Sequence, residues 1–594
     1  MPPLDPEAIA SLPPHESCTV YAGPGTGKTR LLVNRLNFLL RNPARPNGEI
    51  ACITYTNAAA EEIATRLDRG SRPGFLGTIH SFLLEYVVYP YGCWLEGVPA
   101  DFDLVTTGYA KPHLQWMQGQ GLLSAQRVHI PDIVTAFEDA GYDLDGQLKC
   151  HKRASLTQAE MQAFVDRRLA LKQINQQDVL WFAWRILSEP AFGHVLDALS
   201  CRFSAILVDE FQDTSALQFA VLEKLQSKGR TALFLVGDKE QSIFSFAGAC
   251  LDTYKRATAK VPAHPLTVNY RSTSRIVALL NSLLEPDCRL VSAADWKDEE
   301  IPVYVVVGKV DDATKVRAFM ELRKKHGLTG TGKRHDFLVL ARGANAIRRL
   351  SALTEAKPEQ GEDVFEQLND THRQLHGILR DLLGARQLLD LGEYARAFRR
   401  LDRGLSRLIL KANPGFGAPD TVGLTRDSWR AMLCEVLREI RGLNAEEVAP
   451  WAESVQETVK NAILTAGGKK SGPKLVLLGR LKDNLKKKAK YRTEDALRCV
   501  DIADEVTSAV RTIHRAKGLE AEAVLLVAEK GDLTRWMNCY GSGKPRTEEA
   551  RIGYVGLSRA KKLLCVATDT ITTDMRATME TLGVVVLDSK SLCP

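Results

Sequence analysis

The sequence predicts an α/β chain built on two parallel-sheet cores, each interrupted by a mostly helical insertion. Three observations carry that expectation. Short apolar runs recur, each leading through a polar or Gly-rich turn into a helical pattern: Cys18 to Ala22, Ile50 to Tyr55, Ser204 to Val208, Ala232 to Val236, Phe337 to Ala341, Val524 to Val527 and Leu563 to Ala567. Strands of a parallel sheet covered by helices on both faces read in this way. The runs fall into two groups, one before residue 270 and one mostly after 500. Between them the period changes: Leu375, Ile378, Leu379, Leu382, Leu383 and Leu389 follow helical spacing. The expected division is therefore 1–82 and 201–268 for the first core around an insertion at 83–200, and 269–354 and 501–594 for the second around an insertion at 355–500.

Composition narrows the class. The chain has 594 residues, 45% of them hydrophobic, with 79 Lys and Arg against 72 Asp and Glu, a net charge of +7. These are globular proportions, and they exclude disordered, collagen-like and coiled-coil chains. The first Lys or Arg is Lys28, so no basic segment precedes an apolar one as in a secretory leader, and no apolar run approaches the roughly 18 residues of a membrane span. The 12 cysteines are scattered, the nearest pair being Cys539 and Cys565, which excludes a C-x2-4-C metal site and fits a reduced, cytoplasmic protein. The excess positive charge is local. Lys469 to Arg492 holds ten Lys and Arg against one Asp, a net of +9, and the remainder of the chain sums to −2.

In the first core, Ala22-Gly23-Pro24-Gly25-Thr26-Gly27-Lys28-Thr29 follows the first strand and opens a helix expected over Arg30 to Leu40. Glycines let backbone N–H groups turn towards phosphate oxygens, the helix N-terminus adds its dipole, Lys28 can reach the β- and γ-phosphates, and the Thr29 hydroxyl can hold Mg²⁺. Taken alone, the loop does not choose among kinases, transporters and motor ATPases. Asp209 and Glu210, at the end of the Ser204 to Val208 run, supply a carboxylate for the Mg²⁺ shell and a second to polarise an attacking water; in isolation they would read equally as a solvated turn.

With Asp209-Glu210-Phe211-Gln212-Asp213 following the P-loop, the chain resembles a superfamily 1A DNA helicase of the UvrD/PcrA/Rep type, and further motifs appear in that family's order. They are Ile53 to Ala60, Gly77 to Phe82, Val236 to Phe244, Asn269 to Ser272, Thr512 to Glu520 and Tyr554 to Ala560. The resemblance implies that both cores are RecA-like P-loop NTPase domains binding ATP and Mg²⁺ between them. It implies catalytic roles for Lys28, Asp209, Glu210, Gln241, Arg271 and Arg559, nucleotide contacts from residues 22–30 (Ala22, Gly23, Pro24, Gly25, Thr26, Gly27, Lys28, Thr29, Arg30), adenine stacking by Tyr270 and a ribose contact from Glu520. Metal ligation falls to Thr29 and Asp209. The implied partners are single-stranded DNA and single/double-strand junctions: single-stranded DNA would lie on Tyr55, Asn57, Thr78, His80, Phe244, Phe246 and His514, and the basic run falls where the family carries a subdomain that meets duplex DNA or autoregulates, its plainer reading being a solvated helix face or loop.

The implied activity is ATP-driven 3′-to-5′ translocation on DNA with unwinding. The chain departs from the family pattern in three places. No Gln precedes the P-loop, Ala247 stands where the family carries Arg, and Ala521 stands where an aromatic follows the motif V glutamate. Only 34 residues follow Ala560, so any nuclease is expected on a separate chain. The alternative is a motor subunit that senses DNA or nucleotide and regulates a separate nuclease partner, as in Gabija-type phage defence.

Overall fold

The computed structural model describes residues 5–68, 71–105, 109–123, 131–150, 156–244, 251–293, 301–328, 336–354, 373–390, 392, 394–410, 424–443, 447–467, 509–529, 531–537 and 547–588. Two compact units are present: Met1–Leu353 with Ala509–Pro594, and Thr354–Ser508.

The first unit holds two six-stranded parallel sheets, the α/β class that the sequence predicts. In the first sheet, β1 (Cys18–Ala22), β2 (Glu49–Thr54), β3 (Phe75–Thr78), β4 (Phe203–Val208), β5 (Ala232–Gly237) and β6 (Ala263–Leu266) lie in the order β6-β1-β5-β4-β2-β3. Alternate residues serve opposite faces: Ile50 and Cys52 pack with Leu31, Leu32 and Leu36 of the helix Lys28–Arg41, while Ala51 and Ile53 pack with Phe82 and Val179 on the other side. Because β1, β5 and β4 are neighbours, the loops leaving their C-terminal ends converge. Ligands of open parallel sheets bind at such an edge.

The second sheet contains β7 (Tyr304–Val307), β8 (Phe337–Ala341), β9 (Val510–Thr512), β10 (Ala521–Ala528), β11 (Ala560–Thr568) and β12 (Val585–Asp588) in the order β9-β8-β10-β11-β7-β12. In β10, Ala523, Leu525 and Val527 face one core while Val524, Leu526 and Ala528 face the other.

Between β3 and β4 the chain makes mainly helices, including Gln158–Ala170 and Gln176–Ser188, with a short antiparallel hairpin pairing Gly141–Tyr142 and Leu148–Lys149. A buried ion pair, Arg168 with Asp178, joins the two helices, and Asp178 also accepts from the Asn175 backbone at 2.7 Å.

In the second unit the described residues form the helices Arg373–Asp390, Tyr394–Leu410, Arg426–Gly442 and Val448–Thr465 around Leu382, Leu401, Trp429, Leu433, Trp451 and Val455. A Cβ on Gly384 would come within 2.4 Å of the Arg400 guanidinium, so glycine there permits the close packing of the first two helices. The basic run Lys469 to Arg492 lies outside the described residues. Among the described residues, no helix is long and apolar enough to cross a membrane.

Candidate functional site

The P-loop is shaped by its glycines. Gly25 (φ +71°) and Gly27 (φ +85°) occupy the left-handed region that disfavours side chains, and Gly27 caps a helix that begins at Lys28, two residues earlier than the sequence reading. Thr26 Oγ1 donates to the Gly23 carbonyl at 2.8 Å, and Lys28 Nζ donates to the Ala22 carbonyl at 3.0 Å. The second sheet's lobe reaches this loop directly. Asn269 Nδ2 donates to the Pro24 carbonyl at 2.7 Å and the Tyr270 amide to the Gly25 carbonyl at 2.8 Å. A Cβ on Gly25 would sit 2.5 Å from the Arg271 Cβ, so the approach of residues 269–271 requires glycine.

Asp209 stands one residue beyond β4, its amide still donating to the Ile53 carbonyl of β2 at 2.9 Å. Glu210 takes φ +49°, a left-handed conformation that costs a non-glycine residue about 1–3 kcal/mol. That turn directs its carboxylate to Gln212, whose Nε2 donates to Glu210 Oε2 at 2.5 Å. A relay continues from there. The Asp238 amide donates to Gln212 Oε1 at 2.8 Å, Gln241 Nε2 donates to Asp238 Oδ2 at 2.7 Å, and Arg559 Nη2 donates to Gln241 Oε1 at 3.0 Å.

The two adjacent carboxyls are held differently. Burial, then the charge of Glu210, pushes Asp209 above the usual carboxylate range. Burial acts on Glu210 in the same sense, but Lys28, Lys517, the Gln212 hydrogen bond and Arg559 together outweigh it and hold Glu210 below its ordinary value. The adjacent carboxyls of Asp209 and Glu210, together with the Thr29 hydroxyl in the first turn of the P-loop helix, are hard oxygen donors of the kind suited to Mg²⁺. The donor chemistry thus fits that ion.

The second lobe contributes cations. Arg271 Nε donates to Glu520 Oε2 at 2.7 Å, and Lys561 pairs with Glu520 Oε1 at 3.0 Å. Arg559 is 1% exposed, and burial together with the nearby Arg271 pushes its guanidinium down to about 9. The turn Lys239–Gln241 and the following Ser242 are gripped by three cations of this lobe: Arg559 at Gln241 Oε1, Lys517 at the Gln241 carbonyl (2.8 Å) and Arg551 at the Ser242 carbonyl (2.7 Å). Tyr270 is 55% exposed, and Arg30 is exposed on the P-loop helix.

Tyr55, Asn57, Thr78 and His80 line one cavity of about 810 Å³, which also reaches Asp209, Glu210 and Asp213. Burial drives the His80 imidazole down to about 4, so it is neutral, and its Nε2 has no hydrogen-bond partner among the described atoms. The Tyr55 and Phe244 rings stack with centroids 5.2 Å apart and planes 17° from parallel, and His514 lies 6.2 Å beyond Phe244. Phe246 and Ala247 lie outside the described residues.

Sequence reasoning missed two groups. The opposite cavity wall comes from the insertion, with Tyr142, Leu144, Lys149 and Gln177 carried by the hairpin and the helix behind it; no motif marks them. Lys517, inside a recognised motif, received no role. Its partner Asp213 is 304 residues away, and only the fold brings the two together.

Residues 5–262 match the UvrD/REP helicase N-terminal domain, and residues 483–570 match the UvrD-like helicase C-terminal domain. The chain is 24% identical to the ATP-dependent DNA helicase UvrD1 of Mycobacterium tuberculosis, covering 92% of this chain and 80% of that protein. It is 26% identical to the DNA helicase II of Salmonella typhimurium and to that of Escherichia coli, covering 94% of this chain and 83% of each. Two sheets with a P-loop on one and arginines on the other, matched over both halves, place the chain in the UvrD/Rep family of ATP-driven DNA helicases.

Proposed function

We propose that the chain moves 3′ to 5′ along single-stranded DNA and opens duplex ahead of it, using ATP bound between the two sheets of the first unit. One observation carries this reading: the carboxylates Asp209 and Glu210 border the same cavity as Tyr55, Asn57, Thr78 and His80. Nucleotide chemistry and the strand then share one cavity, and a change at one is felt at the other.

In this reading the P-loop amides and Lys28 hold the phosphates, Tyr270 stacks on the base with Arg30 nearby, and Glu520 takes the ribose. Thr29 and Asp209 would hold Mg²⁺, which when bound neutralises phosphate charge. Glu210, oriented by Gln212, positions the attacking water and takes its proton. Gln241, Arg271 and Arg559 meet the charge that spreads over the transferred phosphoryl oxygens. The lobes close around ATP and part after hydrolysis, and uneven grip on the strand turns that cycle into steps. Tyr55 and Phe244 stack on bases, each contact worth about 1–3 kcal/mol in any sequence context. Asn57, Thr78, His80 and His514 contact the backbone.

The test is ATPase activity with and without single-stranded DNA, alongside unwinding of 3′-tailed and 5′-tailed duplexes. DNA-stimulated hydrolysis and a 3′-tail preference are expected. Hydrolysis indifferent to DNA, or activity on 5′ tails alone, overturns the reading. A second reading, a motor subunit governing a separate nuclease, is favoured by Ala247 in place of the family's arginine. It predicts DNA-stimulated hydrolysis without unwinding.

A further inference from the structure

We propose that Lys517 is the positioning residue that latches the Tyr55–Phe244 ring pair to closure of the ATP cleft; the proposal rests on the translocase reading above. Lys517 comes from the loop between β9 and β10 of the second sheet, yet its side chain is only 8% exposed because it is sunk into the first lobe. An ammonium has three protons to place. One goes to the carboxylate of Asp213, one to the Gln241 carbonyl at 2.8 Å, and the charge lies 4.9 Å from the centre of the Phe244 ring, within cation–π range.

Each contact leads to a different part of the machine. Asp213 closes a single helical turn from Glu210, its amide donating to the Glu210 carbonyl at 2.9 Å. Gln241 is the side chain that accepts from Arg559. Phe244 is stacked on Tyr55, which borders the cavity. One cation of the second lobe therefore touches the carboxylate turn, the Gln241 turn and the aromatic pair at once.

Two consequences follow from the chemistry. Rings already stacked on each other have no gap for a base, so Tyr55 and Phe244 must part before a base slides between them. The Asp213 side chain is 1% exposed and its Oδ1 has no hydrogen-bond partner among the described atoms, so losing Lys517 leaves a buried carboxyl without its cation. A buried ion pair separated in this way favours two discrete arrangements over a gradual one. In the closed arrangement Lys517 holds Phe244 on Tyr55. When the lobes part, the ammonium leaves and Phe244 is released to a base.

The experiment uses the full chain with Lys517→Met, Lys517→Arg and the double variant Lys517→Met/Asp213→Asn, which removes both charges and so leaves neither stranded in the core. ATPase rates are measured with and without oligo(dT), together with nucleotides advanced per ATP. The double variant is expected to melt with the wild type, while the ratio of DNA-stimulated to DNA-independent rate and the nucleotides advanced per ATP each fall about tenfold. Lys517→Arg should retain at least half of both. Wild-type stimulation and step yield in the double variant would overturn the proposal, as would an equal loss of basal and stimulated rates. A wild-type protein without DNA stimulation is a separate result: it overturns the translocase reading before any variant is made.

Discussion

The two α/β lobes have the same architecture and present opposite edges to the cleft between them. The first sheet uses the carboxyl ends of β1, β4 and β5, which carry the P-loop, Asp209 and Asp238. The second uses the amino ends of the adjacent strands β10 and β11, with Glu520 and Arg559 immediately ahead of Ala521 and Ala560, which pair with each other. Carboxyl ends of parallel strands lead into helix N-termini and so gather anionic ligands. Amino ends offer no such cradle, and in the function proposed above the second lobe would meet phosphate with long cationic side chains instead. Binding and completion of the site are thereby divided between lobes, which gives closure something to control.

That division can be broken or sharpened by substitution. The largest effect is expected for Lys28→Ala, which should abolish ATPase and weaken nucleotide binding together, read by steady-state hydrolysis and a fluorescent ATP analogue. Arg559→Ala should cut hydrolysis about 10³-fold while nucleotide binding holds, because the first lobe alone carries the cradle; equal losses in binding for both variants would erase the division. Tyr55→Ala should weaken oligo(dT) binding by about 1–3 kcal/mol, measured by anisotropy, with DNA-free hydrolysis preserved. The smallest effect on turnover is expected at Asn269, fully buried, whose Oδ1 accepts from the Arg271 and Ser272 amides at 2.9 and 2.7 Å. Asn269→Ala should lower unfolding stability by about 1–3 kcal/mol in a denaturant titration and raise the ATP concentration needed for half-maximal rate.

Much of the fold was legible because local pattern and final environment agree. Val524 to Val527 reads as a buried strand since both of its faces are covered, and Ile378, Leu379, Leu382 and Leu383 read as one helix face because all four enter one core. The P-loop was legible since the positive φ of Gly25 and Gly27 is a local demand that glycine meets. The two-residue strands Gly141–Tyr142 and Leu148–Lys149 are too short to alternate, so the cavity wall that they build left no trace in the sequence. Nor could the turn at Glu210 be read, because a left-handed backbone at a residue other than glycine has no local signature. Pairings such as Lys517 with Asp213 are non-local facts, available only once both sheets exist.

The strand order of the second sheet has a bearing on synthesis. β7 and β8, made before the helical unit Thr354–Ser508, do not pair with each other: β8 lies between β9 and β10, and β7 between β11 and β12. Every ladder of that sheet thus waits for strands translated after the insertion. On the ribosome the first lobe can close early, while two apolar strands of the second stay without partners until the chain is nearly finished. Such a wait makes the late half the natural client of chaperones and the part most exposed to aggregation.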